Sequence, residues 1–408
     1  MGIIDLNVVF HDQPYCHPQD GKSVERDFYD RDEQKEIAEN SLRSTSSRLV
    51  IIMGERRAGK TSLLHLLIDH LASDRSVRFV PVKIPWQGVS SRDELTKVIL
   101  LEACEKLDKE LPDINQDAGT SEQRSLGVLG KFLGQLRLLL SPDKILVLCI
   151  DEFDSLLLHS ALKPEEREKI LGMIQELVES GEVPVKLLFT MSRIPDASGT
   201  RTPPVIAKAE QVLLSPFKKE DFNEMVSSLM RQQEHLQSED IARLDSGRLY
   251  DLSGGWPFFA KLLLMHLVNK SAPNQDGLDR ALEKALLDTG AEQTLNDIYT
   301  RHFDDNEKSI LLLLAKRDGR ISAKEMSVVG DSLREAAANL TRRNFISRDG
   351  GGNYTFRIGY LAKWFPQWSR FEREVNQRLS QPLLRLERIE DPWARGEWIT
   401  VTKDEEKF

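Results

Sequence analysis

Cysteine is scarce in this chain. Cys16, Cys104 and Cys149 are its only three in 408 residues. An odd number at wide spacing excludes a disulfide framework and a clustered zinc motif. Cys149, inside an apolar run, reads as a small core residue. Positive charge is in deficit as well, with 56 Lys and Arg against 65 Asp and Glu and a formal net charge of −9. No global field therefore draws the chain to nucleic acid or to an anionic membrane, and any DNA contact must come from a local patch. No apolar run approaches the ~18 residues of a membrane span. The opening "MGIIDLNVVFHDQPYC" has neither the basic region nor the apolar stretch of a signal peptide, so the cytoplasm is the expected compartment. What remains is ordinary for a globular protein: 40% hydrophobic and 30% charged residues, enough for a sizeable core and two or three domains.

Residues 1–27 show no periodicity and read as an arm; His11, Cys16 and His17 within it are conceivable metal ligands. From Phe28 the text changes. "FYDRDEQKEIAENSL" reads as a turn and a charged helix. "RLVIIM" (48–53), "VRFVPVKI" (77–84), "KILVLCI" (144–150), "VKLLFTM" (185–191) and "EQVLL" (210–214) read as strands. Between them lie helical patterns such as "KTSLLHLLIDHLAS", with Leu63, Leu64, Leu67, Ile68 and Leu71 at helical spacing. Strands alternating with helices predict a mainly parallel sheet covered on both faces. After Pro216 strands almost vanish. "KKEDFNEMVSSLMRQQEHL", "SEDIARLDSGRLYDL", "PFFAKLLLMHLVNK" and "GLDRALEKALLDT" read as a small helical domain. From about Asp304 three further helices and the pair of short strands in "FISRDGGGNYTFRI" have the pattern of a winged helix. A last amphipathic helix is interrupted at Pro366.

Two motifs carry chemistry. Gly54, Glu55, Arg56, Arg57, Ala58, Gly59, Lys60, Thr61 and Ser62 follow a strand and open a helix, which is the context of a P-loop. The glycines let successive N–H groups face phosphates, and the helix adds its positive end. Lys60 would reach the β- and γ-phosphates of ATP, and Thr61 would bind Mg²⁺. The second motif is "ILVLCIDEFDSLL". It ends a strand with Asp151 and Glu152 at the edge where ligands bind in parallel sheets. Asp151 is placed to hold the Mg²⁺ shell, and Glu152 to orient and deprotonate an attacking water. The fourth strand ends in Thr190, Ser192 and Arg193 and should lie between the other two. A polar group there would sense the γ-phosphate, and an arginine would stabilise transition-state charge. "LSGGWPFFAKLL" by itself is a helix start, with Pro257 in its first turn.

Taken in order, "FYDRDEQ", "GERRAGKTS", "LCIDEFD", "FTMSR" and "SGGWP" resemble the STAND class of P-loop ATPases and their archaeal-type and Orc/Cdc6-like AAA+ relatives, over about residues 28–365. The resemblance implies an arm (1–27), an α/β ATPase domain (28–215), a helical lid (216–302), a winged-helix domain (303–378) and a tail (379–408). It implies that Arg31 lies near the nucleotide base, that Arg193 approaches the γ-phosphate and that Pro257 packs on the adenine. The function it implies is an ATP- and Mg²⁺-dependent molecular switch that self-associates or recruits a partner. Because the family often fuses effector and sensor modules at positions where this chain has only short segments, these are expected as separate proteins. The alternative is a DNA-binding ATPase acting through the winged helix, with Arg334, Arg342, Arg343 and Arg348 as phosphate contacts. Asp331, Glu335 and Asp349, interleaved among them, weigh against it. A metabolic kinase would need an acceptor site that no motif supplies.

Overall fold

The computed structural model describes residues 29, 31–74, 77–111, 128–141, 143–158, 162–179, 183–192, 203–231, 241–268, 275–365, 378 and 382. His11, Cys16, His17 and Arg193 lie outside the described residues. The described residues up to Leu214 form one compact unit, and those from Ser215 onward form a second.

The first unit runs α1 (Asp32–Arg43), β1 (Leu49–Gly54), α2 (Lys60–Ser73), β2 (Arg78–Lys83), α3 (Arg92–Leu107), α4 (Val128–Leu139), β3 (Lys144–Ile150), α5 (Phe153–Leu158), α6 (Pro164–Glu179), β4 (Val185–Met191), α7 (Pro204–Ala207) and β5 (Glu210–Leu214). All five strands pair in parallel, in the order β2-β3-β4-β1-β5. The strand that ends in Met191 therefore does lie between those that end in Gly54 and Ile150. β1 and β4 are buried at every position. That is the expected state of a central parallel strand with helices on both faces, and it explains the uninterrupted apolar text of "LVIIMG" and "VKLLFTM". β2 carries Pro81, which has no N–H to give a ladder and is tolerated at a sheet edge. β5, the other edge, alternates exposed and buried residues over its second half. Cys149 is fully buried among apolar neighbours, and burial pushes its thiol up to about 12. No described helix is long and apolar enough to cross a membrane.

The second unit runs α8 (Lys219–Arg231), α9 (Ser246–Ser253), α10 (Pro257–Val268), α11 (Gln275–Leu286), α12 (Thr289–His302), α13 (Asp305–Lys316), β6 (Arg320–Ile321), α14 (Ala323–Val328), α15 (Asp331–Arg342), β7 (Ile346–Arg348), β8 (Tyr354–Phe356) and α16 (Gly359–Trp364). α10 is its centre. Phe259, Ala260, Leu263, Leu264 and Leu267 are all buried, because a helix this rich in apolar residues buries most of its surface against its neighbours. Tyr360 is fully buried, and its hydroxyl donates to the Ala285 carbonyl at 2.7 Å. The stretch read as helical across 238–252 breaks before Ser246. There Asp245 accepts from the Arg248 N–H at 2.9 Å and caps a new helix. The two-residue strand β6 completes an antiparallel sheet in the order β6-β8-β7. It is too short to leave a periodic signal in sequence.

One expectation is corrected in this unit. Arg343, read as a phosphate contact, is consumed by the core. Its guanidinium donates to both carboxylate oxygens of Glu307 at 2.8 Å and to the His302 carbonyl at 3.0 Å. It lies 5.0 and 5.2 Å from the ring centres of Phe303 and Phe345. Glu307 is only 2% exposed and also closes the capping box at the start of α13. Breaking a buried ion pair strands a charge, which costs about 3–5 kcal/mol. Arg343→Ala is therefore expected to lower the melting temperature of this unit by roughly 6–20 °C, at about 2–4 °C per kcal/mol for its size. Calorimetry checks this; an unchanged melting temperature would show the pair to be decorative.

Candidate active site

The loop between β1 and α2 is built for close approach. A Cβ on Gly54 would stand 2.9 Å from the Leu214 carbonyl oxygen of β5, so a side chain has no room there. Gly59 caps α2 at φ 94°, in the left-handed region that glycine adopts most readily. No side chain caps this helix, and its first turn holds no acidic residue. The first N–H groups of a helix have no intrahelical partner and attract anions. Arg57 also has a positive φ, 67°, so the loop is wound tightly on itself, with the Ala58 N–H donating to the Glu55 carbonyl at 3.1 Å.

Lys60 is 6% exposed, and its ammonium donates to the Glu55 carbonyl at 2.9 Å. Burial pulls its pKa below the ordinary lysine value. The carboxylates of Asp154, Glu55, Asp151 and Glu152 act in the opposite sense. A buried cation at the foot of an uncapped helix is a strong anion site, because the low local dielectric leaves its field unscreened.

The carboxylates stand opposite. The Thr61 hydroxyl donates to Asp151 Oδ2 at 2.9 Å. Thr190 is fully buried at the end of β4; its hydroxyl donates to Asp151 Oδ1 at 2.5 Å and accepts from the Glu152 N–H at 2.8 Å. Thr190 thus holds the acid turn in place from the carboxyl end of β4. Glu152 has φ 52° and an exposed side chain. For a non-glycine residue this is a sparsely populated conformation of the kind that collects at functional sites. A hydroxyl beside a carboxylate is the oxygen donor set that suits a hard divalent cation. These residues therefore fit Mg²⁺, which Thr61 and Asp151 would hold.

Two participants were missed in the sequence. Asp154 is 6% exposed, is the carboxylate whose charge acts most strongly on Lys60, and accepts from the Ser192 N–H at 2.9 Å. The signal was the third acid of "DEFD". Trp86 donates its indole N–H to the Asp151 carbonyl at 2.6 Å. It lines, with Lys83, Gln87, Glu102 and Asp151, a cleft of about 360 Å³. A lone tryptophan after the second strand carries no motif that could have announced this. Arg31 is buried at the N-cap of α1, a helix that packs against α2, β1 and β5. Pro257 lies in the second unit, at the first position of α10. The two glycines before it have φ 61° and 77°, and a Cβ on either would come within 2.8 Å of neighbouring atoms.

Residues 43–194 match the sequence profile of a family described as an AAA domain. The five-stranded parallel sheet and its helices are the fold of P-loop ATPases. A Walker-type ATPase of Pyrococcus abyssi is similar in structure at 18% identity and a TM-score of 0.55, over 83% of this chain and 96% of that one. The ORC2 protein of Aeropyrum pernix, determined as ADPNP–ADP complexes, is similar at 14% identity and a TM-score of 0.54, over 85% of this chain and 96% of that one. At such identities the likeness is one of fold. No curated protein sequence matches the chain.

Proposed function

We propose that this protein binds and hydrolyses ATP with Mg²⁺ and acts as a nucleotide-driven switch. The observation that carries the reading is the buried Lys60 at an uncapped helix start, facing the acid turn Asp151–Glu152 across the carboxyl edge of the sheet. In this reading the loop 54–62 cradles the phosphates, Thr61 and Asp151 hold the metal, and Glu152 takes a proton from the attacking water. Arg193 reads the γ-phosphate, and Arg31 and Pro257 serve the base. Residues 28–215 are the ATPase domain, 216–302 the lid and 303–378 a winged helix. Support for the last is the order of α13, β6, α14, α15 and the β7–β8 hairpin. The ATP-bound form self-associates or captures a separate effector, in signalling or defence; hydrolysis releases it.

DNA binding is the second reading, favoured by the helix-and-hairpin order just named. Charge opposes it. Arg343 is part-buried and held by Glu307, Arg334 bonds Asp331, and Arg342 bonds Asn339. Light-scattering mass measured with ADP and with ATP, each with Mg²⁺, tests the switch. A larger assembly, or capture of an effector, in ATP alone is expected. The same mass and the same protease sensitivity in both nucleotides would end the switch reading. A shift of duplex DNA at low salt with ATP present would move the assignment to the second reading.

A further inference from the structure

The catalytic carboxylate proposed above sits on a peptide unit that is held at both ends. Its C=O, from Asp151, accepts the Trp86 indole N–H at 2.6 Å. Its N–H, from Glu152, donates to Thr190 Oγ1 at 2.8 Å. Between these holds Glu152 takes φ 52°, a conformation its own side chain does not favour. The tryptophan is not on a slack loop. The ladder of β2 continues through the Ile84 N–H to the Cys149 carbonyl at 2.9 Å. The following turn is closed by the Val89 N–H on the Trp86 carbonyl, also at 2.9 Å. Gly88 makes that turn possible at φ 90°, and Ser91 then caps α3. The ring is 7% exposed.

We propose that Trp86 is a positioning residue for ATP hydrolysis: its indole N–H fixes the Asp151–Glu152 peptide so that the Glu152 carboxylate meets the attacking water. This rests on the ATPase reading above. Without the donor the peptide keeps only its Thr190 hold and tilts toward a commoner conformation, and the Glu152 carboxylate shifts with it. Lys60 bonds elsewhere, to the Glu55 carbonyl, and the Asp151 carboxylate stays tethered by the Thr61 and Thr190 hydroxyls, so the loss falls on turnover.

The test is Trp86→Phe, which removes the donor and keeps an aromatic ring. The lost volume opens into the existing cleft. The expected result is a kcat about 10-fold lower, with KM and the affinity for a fluorescent ATP analogue with Mg²⁺ unchanged, the signature of an interaction used only in the transition state. In a Glu152→Gln background the same change should lower the residual rate no further, since the group being positioned is gone. Trp86→Leu is the second variant, with the same expected pattern, should the first not fold. Wild-type turnover in a folded variant overturns the inference and leaves the ATPase reading standing. So does a loss that adds in full to Glu152→Gln or that appears as weaker ATP binding, because Trp86 would then be packing alone. A wild-type protein that binds ATP without turning it over overturns the hydrolysis reading and this inference with it.

Discussion

Lys60→Ala is expected to weaken ATP binding by a factor of order 100–1,000 while the protein stays folded. The ammonium is 6% exposed and stands at the uncapped start of α2, where a phosphate would be its partner in a desolvated site. Truncating one partner of a buried charge pair costs about 2–5 kcal/mol. The fold should survive for a reason visible in the same residue. Burial lowers the Lys60 pKa despite four carboxylates acting the other way, so the folded protein without nucleotide holds this cation less comfortably than water does. Its removal takes away one hydrogen bond, to the Glu55 carbonyl, and relieves that desolvation. Titration of a fluorescent ATP analogue, paired with a thermal melt, separates the two effects. Undiminished affinity in a folded Lys60→Ala protein would remove the loop 54–62 as the phosphate site.

Glu152→Gln is expected to slow hydrolysis at least ~100-fold with ATP affinity unchanged, given the usual worth of a general base. The substitution keeps size and hydrogen-bonding capacity and loses basicity. Stability should barely change, because the side chain is exposed and the strained backbone at φ 52° is held by Thr190 and Trp86 through main-chain atoms. A ligand shifts a conformational equilibrium only by its differential affinity for the two states. ATP that is not consumed should therefore accumulate the ATP-favoured form, seen as a larger scattering mass or tighter effector capture than in wild type. Arg193→Ala should block that change with ATP bound, if the arginine reads the γ-phosphate. Wild-type turnover in Glu152→Gln would take the base assignment away from this residue. Identical mass and protease sensitivity for all three proteins in ADP and ATP would leave an ATPase without a switch.

Backbone and periodicity were legible because they are local. A run such as "LVIIMG" declares a doubly buried strand by composition alone, and the glycines at 54 and 59 declare a loop where a side chain cannot fit or a positive φ is needed. The position of the fourth strand between the first and third could be expected because the two motifs must share one sheet edge. The edge position of β2 was not read from the sequence, although Pro81, which leaves one side of a ladder without a donor, is consistent with it. Short elements escaped: β6, with two residues, has no period to read. The stretch around Asp245 kept its apolar spacing across a break that only a capping geometry reveals.

The sequence by itself determined the chemical inventory: a cation and a hydroxyl on a glycine-bounded loop, two adjacent carboxylates after an apolar strand, and alternation that builds a parallel sheet. Each is set by neighbours within a few residues, where spacing translates directly into geometry. Tertiary structure alone decided what each group faces. It spent Arg343 on Glu307, 36 positions away, between two aromatic rings. It turned Thr190 inward onto Asp151 and Glu152, 39 and 38 positions away. It brought Trp86 to the carbonyl of Asp151 across 65 positions. Those partners depend on which strands lie side by side and how deeply a side chain is buried. In a desolvated interior a polar group bonds to whatever the fold brings within reach, and nothing in its flanking sequence records which group that is.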